Sequence, residues 1–228
     1  MGIPTITVAG SSASGINAVS PGLPAGFQPN DIFLLFMENQ DAGAIGTVTG
    51  YTAGPVAFAS TGTPTRLDCR WRRAVAGDAD PSIPDPGDHI TAQILGVRGC
   101  ITTGSPIDAF AQNTELVADT TVSIPGSTTT GANRLVIAGF STGQDIASTA
   151  GANTWADATL GSPTERLDFW AAAGLGGGFA VASGTKATAG AWGPTTATLA
   201  LAANFKALIS FALIGSDVPP ILVMAPRT

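Results

Sequence analysis

Glycine and proline recur every few positions along this chain, and they constrain its fold more than any other feature. The 228 residues include 29 glycines and 16 prolines. Both residue types destabilise helix interiors, and few charged residues stand at the i, i+4 spacing that supports exposed helices. Short strands joined by turns are therefore expected, as in an all-β protein.

Ten segments are predicted as strands because apolar and β-favouring residues alternate or run continuously between turn residues. In segment 66–74, Leu67, Cys69 and Trp71 share one face, which we predict to be core, while the other face is polar. In segment 205–214 both faces are apolar, which predicts a strand covered on both sides. The predicted strands are 5–9, 32–37, 66–74, 90–97, 121–124, 135–140, 166–172, 179–183, 196–201 and 205–214.

The chain also contains an internal duplication. An offset of about one hundred residues is too long for a solenoid repeat, where periods run from about 20 to 50 residues. Duplicated antiparallel units instead predict a two-sheet antiparallel β-sandwich, jelly-roll-like, with its halves either interleaved or packed as two lobes. The matched segments are "NDIFLLFMENQD" (30–41) with "NRLVIAGFSTGQD" (133–145), "TPTRLDCRW" (63–71) with "SPTERLDFW" (162–170), and "HITAQILGVRG" (89–99) with "NFKALISFALIG" (204–215).

The domain organisation follows from the absence of a linker between the two halves. We predict one sandwich domain over residues 1–215, with repeat halves at about 21–104 and about 125–215. Residues 216–228, "SDVPPILVMAPRT", form a C-terminal arm in this interpretation. The arm either docks on a partner subunit, by edge addition or in a groove, or forms a last strand on its own domain. Its apolar run consists of Ile221, Leu222, Val223 and Met224.

The charge of the chain narrows the classes of function. Only 11% of the residues are charged, and the net charge is −6. Nucleic-acid binding needs clustered Lys and Arg, so we predict no nucleic-acid partner. No apolar run approaches the roughly 18 residues of a membrane span, and the amino terminus lacks the features of an export signal, so we predict a soluble, unexported protein. So few charges suit a protein that buries much of its surface against neighbours.

The segment Gly139-Phe140-Ser141-Thr142-Gly143 matches the G-x-S-x-G pattern of a nucleophile elbow. Such an elbow also needs a following helix and a histidine base, but Ser141 is followed by a glycine-containing segment, and the single histidine, His89, lies upstream. In the duplication, Ser141 aligns with Met37-Glu38 at the exit of the corresponding strand. We therefore predict a strand end and no catalytic residue, and keep a serine hydrolase at Ser141 as an alternative.

Two further motifs have ordinary structural explanations. His89 stands close to Asp85 and Asp88, which would allow a cation site, but a Pro-Asp-Pro-Gly-Asp turn accounts for the same residues. The segment "GLGGGF" (174–179) is a near match to a dinucleotide-binding loop, yet a strand-like segment follows it where a helix would be needed. We predict a hairpin loop there, no metal and no cofactor.

The segment "RWRR" (70–73) carries arginines on the polar face of a predicted strand. Arg70 and Arg72 are predicted to point outward and to pair with acids such as Asp68 or with those of a partner, since arginine is favoured at protein interfaces. They are therefore candidates for partner binding. Of the two cysteines, Cys69 and Cys100, we favour buried free thiols, with a single disulfide as the alternative.

The tryptophans Trp155, Trp170 and Trp192 could, together with Tyr51, form a platform on which sugars stack. Strand alternation makes Trp170 the best candidate for exposure, although packing in a core or an interface is the favoured interpretation for these rings. Trp170 is accordingly a candidate partner-binding residue. A carbohydrate- or receptor-binding module of a tail tip or fibre is the alternative function that these aromatics suggest.

A series of short motifs resembles a class of duplicated β-sandwich proteins found among phage and bacterial sequences, especially the products of phage structural-gene regions. The resemblance covers residues 21–214 or so. The motifs, in chain order, are Pro24, Gly26 and Asp31 before an apolar strand, Gly50-Tyr51-Thr52, "CRWRRAVAGD", Arg98-Gly99 with Pro106-Ile107-Asp108-Ala109 after it, "GSTTTGANRLVIAGF", "PTERLD" and "ALISFAL".

The resemblance implies a non-enzymatic structural protein of a phage virion, made in the host cytoplasm. Such a protein would be a capsid decoration or cement protein or a tail-associated subunit, with capsid or tail proteins as partners. It would assemble in symmetric copies, and a homo-oligomer, with a trimer favoured, is the expectation.

Overall fold

The computed structural model describes residues 1–41, 43–60, 62–144, 151–172, 174, 176–203 and 205–217, which form sixteen β-strands and no helix. Consequently, nothing in these ranges could cross a membrane as a long apolar helix. The strands are β1 (Thr5–Ala9), β2 (Ala13–Gly15), β3 (Ile32–Asn39), β4 (Thr52–Ala59), β5 (Thr65–Arg73), β6 (Ile90–Arg98), β7 (Ile107–Glu115), β8 (Asp119–Ile124), β9 (Thr128–Thr129), β10 (Arg134–Thr142), β11 (Ala152–Ala156), β12 (Gly161–Ala171), β13 (Gly177–Lys186), β14 (Gly190–Ala191), β15 (Thr195–Ala203) and β16 (Lys206–Ile214).

Two antiparallel sheets face each other, which confirms the predicted β-sandwich. The first sheet has the strand order β1-β6-β3-β5-β4, and β2 continues along β6 beyond β1. The second sheet has the order β12-β13-β10-β16-β7. A covering sheet of β11, β15 and β8 packs on the outer face of the second sheet, and β14 pairs with β9.

Each half of the chain builds one complete sheet, so the halves are not interleaved. Strands β1, β3, β4, β5 and β6 occupy the same positions in the first sheet as β7, β10, β12, β13 and β16 in the second. The two sheets face each other with β4 beside β7 and β16, and with β6 beside β12 and β13. This arrangement corresponds to an approximate two-fold axis that runs parallel to the strands, between the sheets.

The strand correspondence confirms two of the three sequence matches and corrects the third. The matches of segment 30–41 with 133–145 and of 89–99 with 204–215 equate β3 with β10 and β6 with β16, as observed. The match of "TPTRLDCRW" with "SPTERLDFW" is wrong, because it equates β5 with the edge strand β12. The shared Arg-Leu-Asp reflects only strand alternation: Leu67 and Leu167 both pack between the sheets.

The two halves begin their central strands in the same way. Asn30 and Asn133 precede β3 and β10, and both have a positive φ, 74° and 58°. The Asn30 N–H donates to the carbonyl of Ala74, directly after β5, and the Asn133 N–H donates to that of Ala187, directly after β13. The junction is thus built twice, which independently supports pairing β5 with β13.

Both sheets are covered on both faces. Alternate residues of β3 point into the core between the two sheets. The others point into a second core on the outer face of the first sheet, where the loops before and after β3 pack. On the second sheet, Phe140 and Leu208 pack outward against Val122 and Leu199 of the covering sheet. The prediction that segment 205–214 is covered on both sides is therefore confirmed.

The two cysteines are free and buried in the core between the sheets, which confirms the favoured prediction. Burial raises the pKa of the Cys69 thiol well above its ordinary value and that of Cys100 to about 12. Both thiols are therefore protonated and unreactive at neutral pH, since the thiolate is the reactive form.

The positive φ of Asn30 makes a testable prediction about backbone strain. Asparagine tolerates the left-handed conformation, whereas alanine there costs about 1 kcal/mol or more. We expect Asn30→Ala to lower the free energy of unfolding by about 1 kcal/mol and Asn30→Gly to leave it nearly unchanged. Denaturant unfolding measures both. Equal losses in the two variants would assign the effect to the lost amide side chain rather than to the backbone.

Candidate functional site

Ser141 lies on β10 near its end, and its hydroxyl is fully buried. The Ser141 Oγ lies 2.9 Å from the Thr65 Oγ1, and the Thr65 hydroxyl donates to the Glu38 Oε1 at 3.0 Å. A hydroxyl has one proton to donate, so Ser141 must be the donor to Thr65. The hydrogen bonds therefore run from Ser141 through Thr65 to the Glu38 carboxyl, and we call these three residues with Thr91 the buried network.

Glu38 is the acceptor on which the buried network converges. Its side chain is fully buried, and its second oxygen, Oε2, accepts a hydrogen bond from the Thr91 hydroxyl at 3.3 Å. The Nε2 of His89 lies 3.8 Å from the same oxygen. Gly177 closes the site: it has a φ of 138°, and a Cβ there would come within 2.8 Å of both carboxyl oxygens.

Burial raises the pKa of Glu38 well above its ordinary range, because an ionised carboxyl is poorly solvated there. The hydrogen bonds from Thr65 and Thr91 act in the opposite direction, and the negative charge of Asp88 adds to the increase. The Glu38 carboxyl therefore tends to keep its proton in the folded protein.

The buried network joins the two sheets at the end of their central strands. Glu38 and Ser141 occupy equivalent positions in the duplication, and Thr65 connects them. A direct contact lies beside it, where the Gln40 Nε2 donates to the Gly143 carbonyl at 3.1 Å, again between equivalent positions. A substrate carbonyl would have to reach the Ser141 hydroxyl, which has no exposed surface. The geometry is that of a structural contact at a strand end.

The residues of the proposed cation site do not converge. His89 is fully buried beside Glu38, whereas the Asp85 carboxylate accepts the Gly87 N–H at 2.8 Å, as the turn interpretation predicts. Within the described ranges, no three His, Cys, Asp or Glu side chains are placed to hold a metal ion. Strands β12 and β13 pair antiparallel up to Ala171 opposite Gly177, so the predicted hairpin is confirmed.

Arg70 and Arg72 both pair within their own chain. Arg70 is 9% exposed, and its guanidinium donates at 2.7 Å to each of the carbonyls of Ile45 and Gly46 and at 3.2 Å to Asp68. Arg72 forms an ion pair with Asp78. The predicted pairing of this strand face with Asp68 is confirmed, and a contact of either arginine with a partner stays a prediction.

Trp170 is packed in a core, as the favoured interpretation predicts, and it is not exposed. Its side chain is 5% exposed, its indole N–H donates to Asp168, and its ring lies 6.1 Å from that of Phe140. Alternation itself holds, because Leu167 and Phe169 face the core between the sheets and Trp170 faces the other way. The covering sheet packs on that outer face, which the residue pattern of β12 alone does not predict.

The other aromatic residues do not form a platform with Trp170. Trp155 packs beside it in the same core, and its indole N–H donates to Glu165 at 2.8 Å. Trp192 is buried in a different cluster, and Tyr51 lies on the outer face of the first sheet. The four rings are thus divided among three clusters, so they do not form the stacking platform that was the alternative to core packing.

The apolar run of the C-terminal arm, Ile221, Leu222, Val223 and Met224, lies outside the described residues. The last described residues run beside the first sheet: the Ser216 N–H donates to the Gly99 carbonyl at 2.7 Å, and the Ser216 carbonyl accepts the Gly2 N–H at 3.2 Å. Gly99 follows β6, and Gly2 precedes β1. The arm therefore leaves the sandwich between the start of β1 and the end of β6, directly after β16, whose Ile214 N–H donates at 2.8 Å to the Pro106 carbonyl beside the start of β7.

At the edge of the sandwich opposite β1, strands β4 and β7 lie side by side and enclose a groove, which we call the β4–β7 groove. A cavity of about 450 Å³ is lined by residues 52–55 and Trp71 on one side and by Ile107, Asp108 and Phe110 on the other. A second cavity of about 200 Å³ follows between residues 56–58 and 112–114. The cavities lie in line because both strands run in the same direction.

Two exposed phenylalanines mark this groove. Phe58 on β4 is 54% exposed and Phe110 on β7 is 55% exposed. Neither strand was among those predicted from the sequence, although both show some apolar alternation. Pro55 weakens the strand signal of β4 but is tolerated there because edge strands leave one row of backbone groups unpaired.

No model of a known protein family matches this chain. Neither a curated protein nor a solved structure matches it. The function must therefore be argued from the residues and their geometry.

The raised pKa of Glu38 predicts how stability varies with pH. An acid that binds its proton more tightly when folded stabilises the protein below its unfolded pKa, and the protein loses that stability as pH rises towards the folded pKa. Glu38→Gln keeps an acceptor for Thr65 and cannot ionise. We expect the variant to gain stability relative to the parent as pH rises from about 4 through neutral.

Urea unfolding of parent and variant across this pH range measures the difference. The control is Glu165→Gln, which makes the same change on an exposed side chain, and its pH profile should follow that of the parent. Parallel profiles for Glu38→Gln and the parent would contradict a raised pKa at Glu38.

Proposed function

We propose that this chain is a non-enzymatic structural protein of a phage virion, a capsid decoration or cement protein or a tail-associated subunit. It acts through protein–protein contacts and forms a homo-oligomer, with a trimer favoured. The observation that carries the proposal is the β4–β7 groove, where an apolar cavity and two half-exposed phenylalanines lie at the adjacent edges of the two sheets. The virion setting is supported by the sequence motifs described above.

Edge strands present unpaired backbone groups, and soluble monomers usually protect them with charged side chains. Strand β4, "TAGPVAFA", carries no charge at all. Strand β7 carries Asp108 and Glu115, but these pair with Arg134 and Lys206 of the same chain. The edges around the groove are thus nearly uncharged, which is typical of a surface that another protein covers.

The arginines support the same proposal. Arg70, Arg72, Arg98 and Arg134 pair with Asp68, Asp78, Asp31 and Asp108 respectively. Cations that are neutralised in this way are poor ligands for phosphate, and the net charge is −6. Apolar contacts, rather than attraction to an acidic partner, are therefore the chemistry that this surface offers.

The enclosed position of Ser141 supports a role without catalysis. A nucleophile must touch the substrate, and the serine hydroxyl instead donates to Thr65 inside the sandwich. The buried network holds the two sheets together and leaves the outer edges for binding.

Self-association through the groove is the first test of the proposal. We expect the full chain to form a trimer or a larger symmetric oligomer, and Phe110→Glu to shift it to smaller species, because the charge would lie in the contact. Light scattering coupled to size-exclusion chromatography measures both. Ile16→Glu is the control, since Ile16 is 56% exposed but follows β2 at the other edge of the first sheet.

The virion setting is tested by a cryo-electron microscopy map of phage particles assembled with the chain. Density for the sandwich on the capsid or tail is the expected result. A chain that is monomeric in solution and absent from such particles would overturn the proposal.

A further inference from the structure

We propose that a cavity on the outer face of the first sheet binds a small organic carboxylate. The cavity has a volume of about 330 Å³ and lies where β4, β5 and the loop between β3 and β4 meet. We call it the Arg66 pocket, and β5 contributes Arg66, Asp68 and Arg70 to its lining. The inference goes beyond the proposed function and does not depend on it, because the β4–β7 groove lies on the other side of β4.

A β-bulge in β4 makes room for the pocket. The register shifts between Ala53 and Val56, where two residues of β4 lie opposite one residue of β5. A Cβ on Gly54 would come within 2.7 Å of the Cys69 carbonyl oxygen, so the bulge depends on glycine. Because Gly54 carries no side chain, the position leaves space above β5. Bulges are frequent beside binding sites, where they redirect the neighbouring side chains.

Strand alternation places the charged side chains of β5 on the same face as the pocket. Leu67 and Cys69 pack between the sheets, so Arg66, Asp68 and Arg70 point to the outer face. The Asp68 Oδ2 accepts a hydrogen bond from Arg70 at 3.2 Å, and the Arg66 Nε lies 3.8 Å from the same oxygen. Two arginines thus share one carboxylate. The lining of the pocket therefore carries one positive charge that no acid within it balances.

Arg66 differs from the other arginines in its hydrogen bonding. The Nε atoms of Arg98, Arg134 and Arg166 each donate to an oxygen of a neighbouring side chain. The Arg66 Nε is buried, and no acceptor in the described part of the chain bonds to it. Its distance from Asp68 is too long for a hydrogen bond. A guanidinium whose side chain is only 17% exposed thus lacks an acceptor, which a ligand in the pocket would supply.

A second donor in the pocket also lacks a partner. Tyr51 lines the cavity, and its buried hydroxyl forms no hydrogen bond with the residues that the structure describes. A tyrosine hydroxyl is protonated at neutral pH, and burial raises the pKa of Tyr51 further, so the group is available as a donor. Two donors without acceptors beside an unbalanced positive charge match a ligand group that is an acceptor and an anion.

The charge of the lining favours a carboxylate over a phosphate. A carboxylate carries one negative charge, which equals the unbalanced charge, and a planar guanidinium can donate to both of its oxygens. A phosphate group carries about −1.5 to −2 at neutral pH, and its additional charge would lie close to Asp68.

Apolar groups surround the charged part of the pocket. The ring centroid of Phe58 lies 5.8 Å from the guanidinium carbon of Arg66, and Ile45 and Val56 line the cavity. The ring keeps the guanidinium in place by a cation–π contact. A cavity of about 330 Å³ is at the small end of the range for ligand sites. A carboxylate on a small aromatic or aliphatic body, such as benzoate, fits both the charge and the size.

Titration of the full chain with sodium benzoate at constant ionic strength tests the inference. We expect isothermal titration calorimetry to show saturable binding of one benzoate per chain. Benzamide has the same shape without the charge and should not bind. Inorganic phosphate should not displace benzoate, and displacement by phosphate at lower concentrations than benzoate itself requires would overturn the choice of a carboxylate.

Variants test the residues of the pocket. Arg66→Gln should weaken benzoate binding by about tenfold or more and Tyr51→Phe by about threefold or more. Arg166→Gln removes the same charge from an exposed side chain of β12 and should leave binding unchanged. Because no described residue accepts a hydrogen bond from the Arg66 Nε, Arg66→Gln should unfold at the same urea concentration as the parent. If it does not fold, Tyr51→Phe and benzamide still test the pocket.

A peptide distinguishes a free carboxylate from one carried by a protein. The peptide is a blocked pentapeptide with glutamate between two phenylalanines, and its glutamine counterpart is the control. We expect benzoate to bind more tightly, because the pocket is small. Tighter binding of the glutamate peptide, lost with the glutamine peptide and in Arg66→Gln, would keep the carboxylate site and assign it to a protein partner. Failure of both probes to bind, or binding that Arg66→Gln leaves unchanged, would overturn the inference.

Discussion

The burial of the two central strands on both faces is the constraint on which the rest of this structure depends. Every residue of β3 and of β10 is buried. Their backbone groups pair with strands on both sides, so each is a central strand of its sheet. Because their side chains on both faces are buried, both faces of each sheet must be covered. This requirement accounts for the loops that pack on the first sheet and for the covering sheet on the second. Because so many strand positions are buried, it also fits a chain in which only 11% of the residues are charged.

At the buried ends of these strands, the two halves carry different side chains at equivalent positions. Glu38 and Ser141 occupy equivalent positions and meet through Thr65. Two glutamates there would place two carboxyls in one unsolvated site, where like charges cannot both ionise. Instead, the Ser141 hydroxyl of the second half donates to Thr65, and the Glu38 carboxyl of the first half accepts from Thr65.

The sequence predicts those parts of the structure that depend on local pattern. The apolar run of β16 identified a strand covered on both faces, those of β3 and β10 identified strands, and the duplication paired β3 with β10. The edge strands β4 and β7 were missed because their alternation is interrupted and their partners lie far along the chain. Trp170 was assigned to the correct face of its strand, but alternation does not report what covers a face. The network through Thr65 joins residues 76 positions apart, so only the alignment of Ser141 with Glu38 hinted at it.

The duplication also provides an internal comparison for the two edges of the sandwich. By strand correspondence, β12 and β1 form the counterpart of the edge made by β4 and β7. Strand β12 has two register shifts and carries the exposed charges of Glu165 and Arg166, and β1 is short and irregularly paired. These are the features that protect an edge from further pairing. The β4–β7 edge also has a register shift in each pairing and Pro55 in β4, but it lacks exposed charges and exposes Phe58 and Phe110 instead. The two edges therefore differ in charge and in apolar exposure, as they would if one edge served assembly and the other had to stay free of it.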